Sequence, residues 1–283
     1  MATFELSVVQ VSYKNFSWII KNIEVTIGLN KNKSIDFIII DNDNLVKHYF
    51  NLLRLKLCKL FTYDFKNRIR LYRNSTLALK TRGSVQHALA LDKSKNYITT
   101  EIVAIIDPDC YIIFCDWIDI LLKQLKTYNL DLLGFPEAKS DLNSKSNHSL
   151  NSYRFMAPCA YFIIGKPKYL YAQSFMPDDL SRSEDTGYQL GQRCLKGFYQ
   201  FAIFNAYSSR NRNSDLRFVN FFSCTFYKYE SISDKTLAVH FGRGSNAFGK
   251  NRSNLSNIRK FTKAITEPIE FRKNIGLYTK SLF

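Results

Sequence analysis

The chain has 283 residues, 46% of them hydrophobic, enough to bury a substantial core in one large domain or one domain with an appendage. Its formal net charge of +16 asks for an anionic partner or a solvated basic face. No apolar run of about 18 residues is present to span a bilayer, and six cysteines without Cys-x-x-Cys spacing speak against a zinc module and for free thiols in a reducing compartment.

Residues 4–12, with Leu6, Val8, Val9 and Val11, read as a strand. After Tyr13-Lys14-Asn15, apolar residues at Phe16, Ile19, Ile20, Ile23 and Ile27 predict an amphipathic helix, which Asn15 or Ser17 would cap. Residues 35–40 predict a second strand ending in Asp41-Asn42-Asp43-Asn44, followed by a helix over 45–61. Residues 69–73 read as a third strand, and Gly83-Ser84 starts a helix through Val85, Ala88 and Leu89. The apolar run 101–106 then ends in Asp107-Pro108-Asp109, with a second apolar run over 111–114.

Strand–helix alternation through residues 1–110 predicts a parallel, doubly wound α/β sheet with its ligand site beyond the carboxyl ends of the strands. Three of those ends carry polar residues: 12–15, 41–43 and 107–109. In an extended chain, residues two apart point the same way, and Pro108 biases Asp107 toward extension, so Asp107 and Asp109 would converge on one cation. Mg²⁺ and Mn²⁺ take oxygen ligands and are commonly shared between carboxylates and substrate phosphates. The plainer alternative is an Asp-Pro-Asp turn joining two strands.

Downstream, residues 130–135 predict a short strand and 137–151 a polar loop. Asp178-Asp179 falls in a loop and faces solvent by default. Glu184-Asp185 precedes a helical stretch, where acidic residues also serve as simple N-terminal stabilisers. Residues 236–240 predict a strand that breaks into a glycine-rich turn at Gly242 and Gly244, leaving His240 at its end as a third metal ligand or a hydrogen-bonded structural histidine. His48 and His87 fall within helical patterns and His148 in a polar loop, all three unremarkable.

These segments together resemble the family 2 glycosyltransferases of the GT-A fold. The resemblance rests on the opening strand with its polar turn, Ile38-Ile39-Ile40-Asp41-Asn42-Asp43, the helix from Gly83 to Leu89 leading into Asp107-Pro108-Asp109, and the stretch from Ser183 to Arg193. It covers residues 1–245 and implies a mostly parallel mixed sheet flanked by helices, divided into a nucleotide-binding half (1–110) and an acceptor-binding half (111–245), with residues 155–164 resembling the family's strand beneath the acceptor site. It further implies a hexosyl transfer from a nucleotide-diphosphate sugar, with Mn²⁺ or Mg²⁺ on Asp107, Asp109 and His240. Asp185 would be the general base, with Glu184 beside it. Donor contacts would fall on Ser12, Tyr13, Asn15, Asp41, Asp43, Arg82 and Asp107, with Arg243 and Lys250 closing over the diphosphate. Two departures stand out: Asp43 competes with Asp41 for the base, and Thr186-Gly187-Tyr188 replaces an acidic residue the family often carries there.

Residues 246–283 match nothing in that family and predict a basic helical extension in which Arg252, Arg259, Lys260 and Lys263 interleave with Leu255, Ile258, Phe261 and Ile265. Such a segment suits peripheral contact with an anionic membrane and an acceptor that is a glycan or a lipid-linked glycan, as in surface polysaccharide biosynthesis. With no secretory leader in residues 1–5, the expected location is cytoplasmic, at the inner face of the membrane. No nucleic-acid-binding module is recognisable, so nucleic acid is not an expected partner. Two rivals fit less well: a sugar nucleotidyltransferase would open with a Gly-rich phosphate loop that residues 9–18 lack, and a basic nucleic-acid binder would leave the ordered acidic motifs without a role.

Overall fold

The computed structural model describes residues 4–62, 66–74, 83–137, 153–178, 185–208 and 224–241. The basic extension expected over 246–283 lies outside them. The first half alternates β1 (Leu6–Ser12), α1 (Phe16–Leu29), β2 (Ile35–Asp41), α2 (Leu45–Thr62), β3 (Arg68–Arg73), α3 (Gly83–Ser94) and β4 (Val103–Ile106). β1 and β2 are buried along their whole length, as expected of parallel strands covered on both faces. β1 pairs with β2 and β4, and β2 with β3, all parallel.

The chain continues through β5 (Cys110–Ile112), α4 (Trp117–Thr127), β6 (Leu132–Gly134), α5 (Tyr153–Met156), β7 (Phe162–Gly165), α6 (Pro167–Leu170), α7 (Tyr188–Leu195), β8 (Phe201–Ile203), β9 (Asn205–Ser208), β10 (Thr225–Tyr229) and β11 (Ser233–His240). Seven strands form the main sheet in the order β3-β2-β1-β4-β7-β6-β8, and every strand but β7 runs the same way. Residues on either side of 110 therefore share one continuous sheet. A second, four-stranded sheet has the order β5-β11-β10-β9.

Alternation along β1 divides the core. Leu6 and Val8 face α1, α4 and the second sheet, packing with Ile19, Ile23, Trp117 and Phe226. Val9 and Val11 face the other way, toward Ala88 and Leu91 of α3 and Leu190 of α7. Two expectations shorten. The strand expected over 155–164 begins only at Phe162, because α5 occupies the start, Pro158 has no N–H for a ladder, and the Cys159 N–H instead turns to the Phe135 carbonyl at 2.8 Å. The run 111–114 does not extend the main sheet but enters the second one. The five described cysteines, Cys110, Cys115, Cys159, Cys194 and Cys224, are all free thiols. No described helix is long and apolar enough to cross a membrane.

Candidate active site

β2 and β3 lie to one side of β1 and β4 to the other, so the winding reverses between β1 and β4. Open α/β sheets bind ligands at the carboxyl ends of strands at such a reversal. β4 delivers Asp107 to that point, and the chain turns there: the Asp107 N–H donates to the Tyr161 carbonyl at 2.8 Å, and the Cys110 N–H donates to the Asp107 carbonyl at 2.9 Å. Asp107-Pro108-Asp109-Cys110 is thus a hydrogen-bonded turn, not the extended segment expected from the i, i+2 argument. The turn and the candidate cation site are one feature, because the turn itself gathers the two carboxylates.

Leaving the turn, β5 pairs with β11 in a register that sets Cys110 opposite His240, and the Phe241 N–H donates to the Asp109 carbonyl at 3.1 Å. That pairing brings His240 Nε2 to 3.4 Å from an Asp109 carboxylate oxygen and 3.9 Å from one of Asp107. Tyr161 lies against the imidazole with ring centroids 4.4 Å apart, which fixes its tilt. One ligand atom from each of Asp107, Asp109 and His240 lies within 4.8 Å of the others.

Burial and the neighbouring Asp109 hold the Asp107 carboxyl well above the usual aspartate range, with Asp185 adding to the effect and His240 opposing it. Burial works against charge on His240, but its hydrogen bond to Asp109 and the charges of Asp109 and Asp107 outweigh that and raise its pKa. An Asp107 carboxyl that resists ionisation beside Asp109, with an imidazole next to both, forms a donor set deficient in positive charge. Hard oxygen ligands with one nitrogen fit Mn²⁺, and the oxygens alone fit Mg²⁺.

His87, unremarkable in the sequence, stands in this cluster. α3 carries its Nε2 to 3.4 Å from the second Asp107 oxygen, so the carboxylate is flanked by an imidazole on each side. Burial lowers the His87 pKa, and the charges of Asp185 and Asp109 offset this only in part. Asp185 therefore lies close to both the acidic cluster and α3. It is positioned by its neighbours: Thr186 donates its N–H to the Asp185 carboxylate at 2.8 Å and its hydroxyl to the Ser84 carbonyl at 2.9 Å, tying the loop to the first turn of α3. Gly187 follows at φ 80°, a left-handed conformation glycine adopts freely, and α7 starts after it. Asp178, in the preceding loop, is exposed and accepts from Gln189.

On the other side of the reversal, the residues named for the donor knit two turns together. Asp41 is fully buried and accepts from the Asp43 N–H, His48 Nδ1 and Asn51 Nδ2 at 3.0, 2.9 and 3.1 Å. Asp43 accepts from the Lys14 N–H through both oxygens at 3.2 Å, holding Lys14 at φ 60°. Asn15 stands at the N-cap position but turns its carbonyl oxygen back to the Tyr13 N–H at 2.9 Å, and Ser17 lies inside the helix, so neither side chain caps α1 as expected. Tyr13 is exposed, while the buried Ser12 hydroxyl makes no hydrogen bond among the described residues. Asn42, unassigned from sequence, donates to the Gln86 carbonyl at 3.1 Å and accepts from Asn74 at 2.9 Å, linking β2, β3 and α3 beside His87. Arg82, Glu184, Arg243 and Lys250 lie outside the described residues.

No family model matches the chain, and no curated protein sequence matches it. Solved structures do. A mannosyltransferase from Pyrobaculum calidifontis, solved with GDP-Man and Mn²⁺, aligns over 97% of this chain and 74% of that one, at 11% identity and a TM-score of 0.51. The fold is GT-A. Fainter likenesses are to S. aureus TarS with UDP (TM-score 0.46, 12% identity, 70% of this chain and 60% of that one) and to the glucosyl-3-phosphoglycerate synthase of Mycobacterium tuberculosis with Mn²⁺ and UDP (TM-score 0.44, 13% identity, 71% and 69%). The chain spans less than two thirds of the TarS chain's length. The acidic cluster and Asp185 flank the point where the winding of this GT-A sheet reverses, and the Asp41–Asp43 network closes its other side.

Proposed function

We propose that this protein is a metal-dependent glycosyltransferase that moves a sugar from a nucleotide-diphosphate donor to a hydroxyl of a glycan or lipid-linked glycan, with inversion. The observation that carries this reading is the convergence of Asp107, Asp109 and His240 at the reversal of the sheet, with Asp185 close by on a separate loop. Asp107, Asp109 and His240 would hold the divalent cation, whose Lewis acidity stabilises charge on the departing nucleoside diphosphate.

The chain's own residues do the rest. Asp185 accepts the proton of the acceptor hydroxyl, a group too weakly acidic to ionise at neutral pH, as attack proceeds. Thr186 fixes one Asp185 oxygen through its N–H. His87 and His240 hold the Asp107 carboxylate from both sides. Asp41 and Asp43 shape the turn over 12–15, where Ser12, Tyr13 and Asn15 meet the nucleotide, with Arg82, Arg243 and Lys250 adding charge around the diphosphate. The basic charge of the chain suits an acceptor carried at an anionic membrane surface on the cytoplasmic side.

A thermal-shift panel of nucleoside diphosphates, with and without Mn²⁺, tests the reading. One nucleotide should stabilise the protein strongly and only with Mn²⁺, since stabilisation grows with ligand excess over its dissociation constant. Indifference to every nucleoside diphosphate would sink the proposal. With the responding sugar nucleotide in hand, release of nucleoside diphosphate rather than pyrophosphate separates sugar transfer from nucleotidyl transfer.

A further inference from the structure

Helix α2 presents an outer face that the proposed chemistry does not use. Its inner face is His48, Asn51 and Leu55, all buried. On the outside, Val46, Tyr49, Phe50, Leu53 and Leu57 are 64%, 63%, 62%, 53% and 50% exposed. At helical spacing these five fall within an arc of about 100°, the width of a stripe that ordinarily packs against a core. Lys47 and Arg54 line one edge of the stripe and Lys56 the other, all three exposed, and the helix contains no Asp or Glu.

We propose that this face of α2 docks the protein on an anionic bilayer. Aliphatic and aromatic side chains flanked by basic ones, without acidic residues between, match an interface of acyl chains bordered by anionic headgroups. A second copy of the helix is a poorer occupant, because face-to-face packing would crowd Lys47, Arg54 and Lys56 against their equivalents with no carboxylate on the helix to pair them. Residues 246–283 are themselves basic, so the same repulsion disfavours them as a cover. Nucleic acid would meet the charges but leave the five apolar side chains in water.

Position gives the contact a use. Three residues separate β2 from α2, whose His48 and Asn51 bond Asp41 at the carboxyl end of the sheet. A bilayer touching Val46, Tyr49 and Phe50 would lie along the rim of the nucleotide half. Delivery of a lipid-borne acceptor there rests on the glycosyltransferase reading; the bilayer contact itself does not.

Flotation of the full chain with vesicles tests the contact without any turnover. Wild type should float with vesicles of phosphatidylcholine and phosphatidylglycerol and stay behind with phosphatidylcholine alone. The pair Phe50→Ser with Leu53→Ser, and separately Lys47→Glu with Arg54→Glu, should each lower partitioning about tenfold or more. Circular dichroism should be unchanged for both pairs, since all four side chains are exposed. Wild type that fails to float, or variants that float as well as wild type, would overturn the proposal, the latter placing any contact elsewhere in the chain. So would a dimer by light scattering that the apolar pair dissolves while vesicle binding persists, or tight nucleic-acid binding that the charge pair abolishes. A failed flotation beside a positive nucleotide panel would reject the docking face alone; the reverse would reject the transferase reading alone.

Discussion

Two acidic positions at opposite ends of the main sheet, one buried and one half-buried, have opposite surroundings. At the amino end of β2, Asp36 is fully buried and receives the guanidinium groups of Arg68 and Arg70 from β3, with Arg68 reaching both carboxylate oxygens at 2.8 Å. At the carboxyl end of β4, Asp107 faces Asp109, Asp185 and two imidazoles. The first carboxylate has its counter-charge built into the next strand, and burial there is satisfied. The second is kept from ionising by burial and by Asp109 and Asp185, with His240 opposing them, a perturbation of the kind that clusters at functional sites.

Exchanging the members tests that difference first. Asp109→Ala should lower transfer by about 10³-fold or more, because metal-borne charge stabilisation is worth several kcal/mol, and should abolish the Mn²⁺-dependent nucleotide shift while leaving the fold intact. Asp36→Asn should do the reverse: activity per folded molecule holds, while stability falls by about 2 kcal/mol. That figure sits below the usual cost of breaking a buried pair, because the Arg68 and Arg70 side chains keep 40% and 20% exposure and can rehydrate. Equal loss of transfer from both substitutions would erase the distinction.

Within the acidic group, Asp185→Asn separates proton transfer from binding. Loss of a positioned base costs about 10²–10⁴-fold in rate, so kcat should fall by that order while Mn²⁺-dependent nucleotide binding stays near wild type. A variant that loses nucleotide binding as well would make Asp185 a member of the metal site rather than the base.

The sequence makes much of this legible. Apolar β-branched runs alternating with i, i+3, i+4 patterns foretell β1 through β4 and their helices, and topology alone puts residues 12–15, 41–43 and 107–109 at one edge. His87 is hidden because a histidine on a helix looks the same whether it meets water or Asp107; its role depends on how α3 packs over β1 and β2 and so reaches a residue twenty positions away in the chain. His48 escapes notice for the same reason. Of the two readings of Asp-Pro-Asp, the turn holds and the extended one does not, because local bias at Asp107 is overridden by the Cys110–Asp107 hydrogen bond and by the pairing of β5 with β11. Asp36 with its two arginines is equally invisible, since pairing across parallel strands depends on register.

His87→Gln gives a smaller effect. Groups that hold a ligating carboxylate typically contribute 10–100-fold to metal affinity, and glutamine retains one hydrogen-bonding group, so Mn²⁺ affinity by titration should weaken by about tenfold. Nucleotide affinity measured at saturating Mn²⁺ should recover. Failure to recover would place His87 against the donor instead of behind Asp107.

The smallest effect is a pH dependence confined to the carboxyl end. Asp107 and His240 both have raised pKa values, so their contribution to the metal-free fold is full below their ordinary values of 3.8 and 6.5 and is lost as pH rises through the raised ones. His87, lowered from 6.5, has the opposite sign: its contribution is present above that value and lost as pH falls through the lowered one. Above 6.5 the His87 contribution is fully present and the His240 contribution is being lost, so the metal-free cluster loses stability as pH rises through the raised His240 value. Mn²⁺ held by the deprotonated ligands would offset that loss, so its thermal shift should be larger at about pH 8 than at about pH 6. Asp107→Asn should flatten the difference, whereas Asp36→Asn, with its charge relations at the other end of the sheet, should leave it unchanged. A Mn²⁺ shift independent of pH in the wild type would mean that protons and metal do not compete for these side chains.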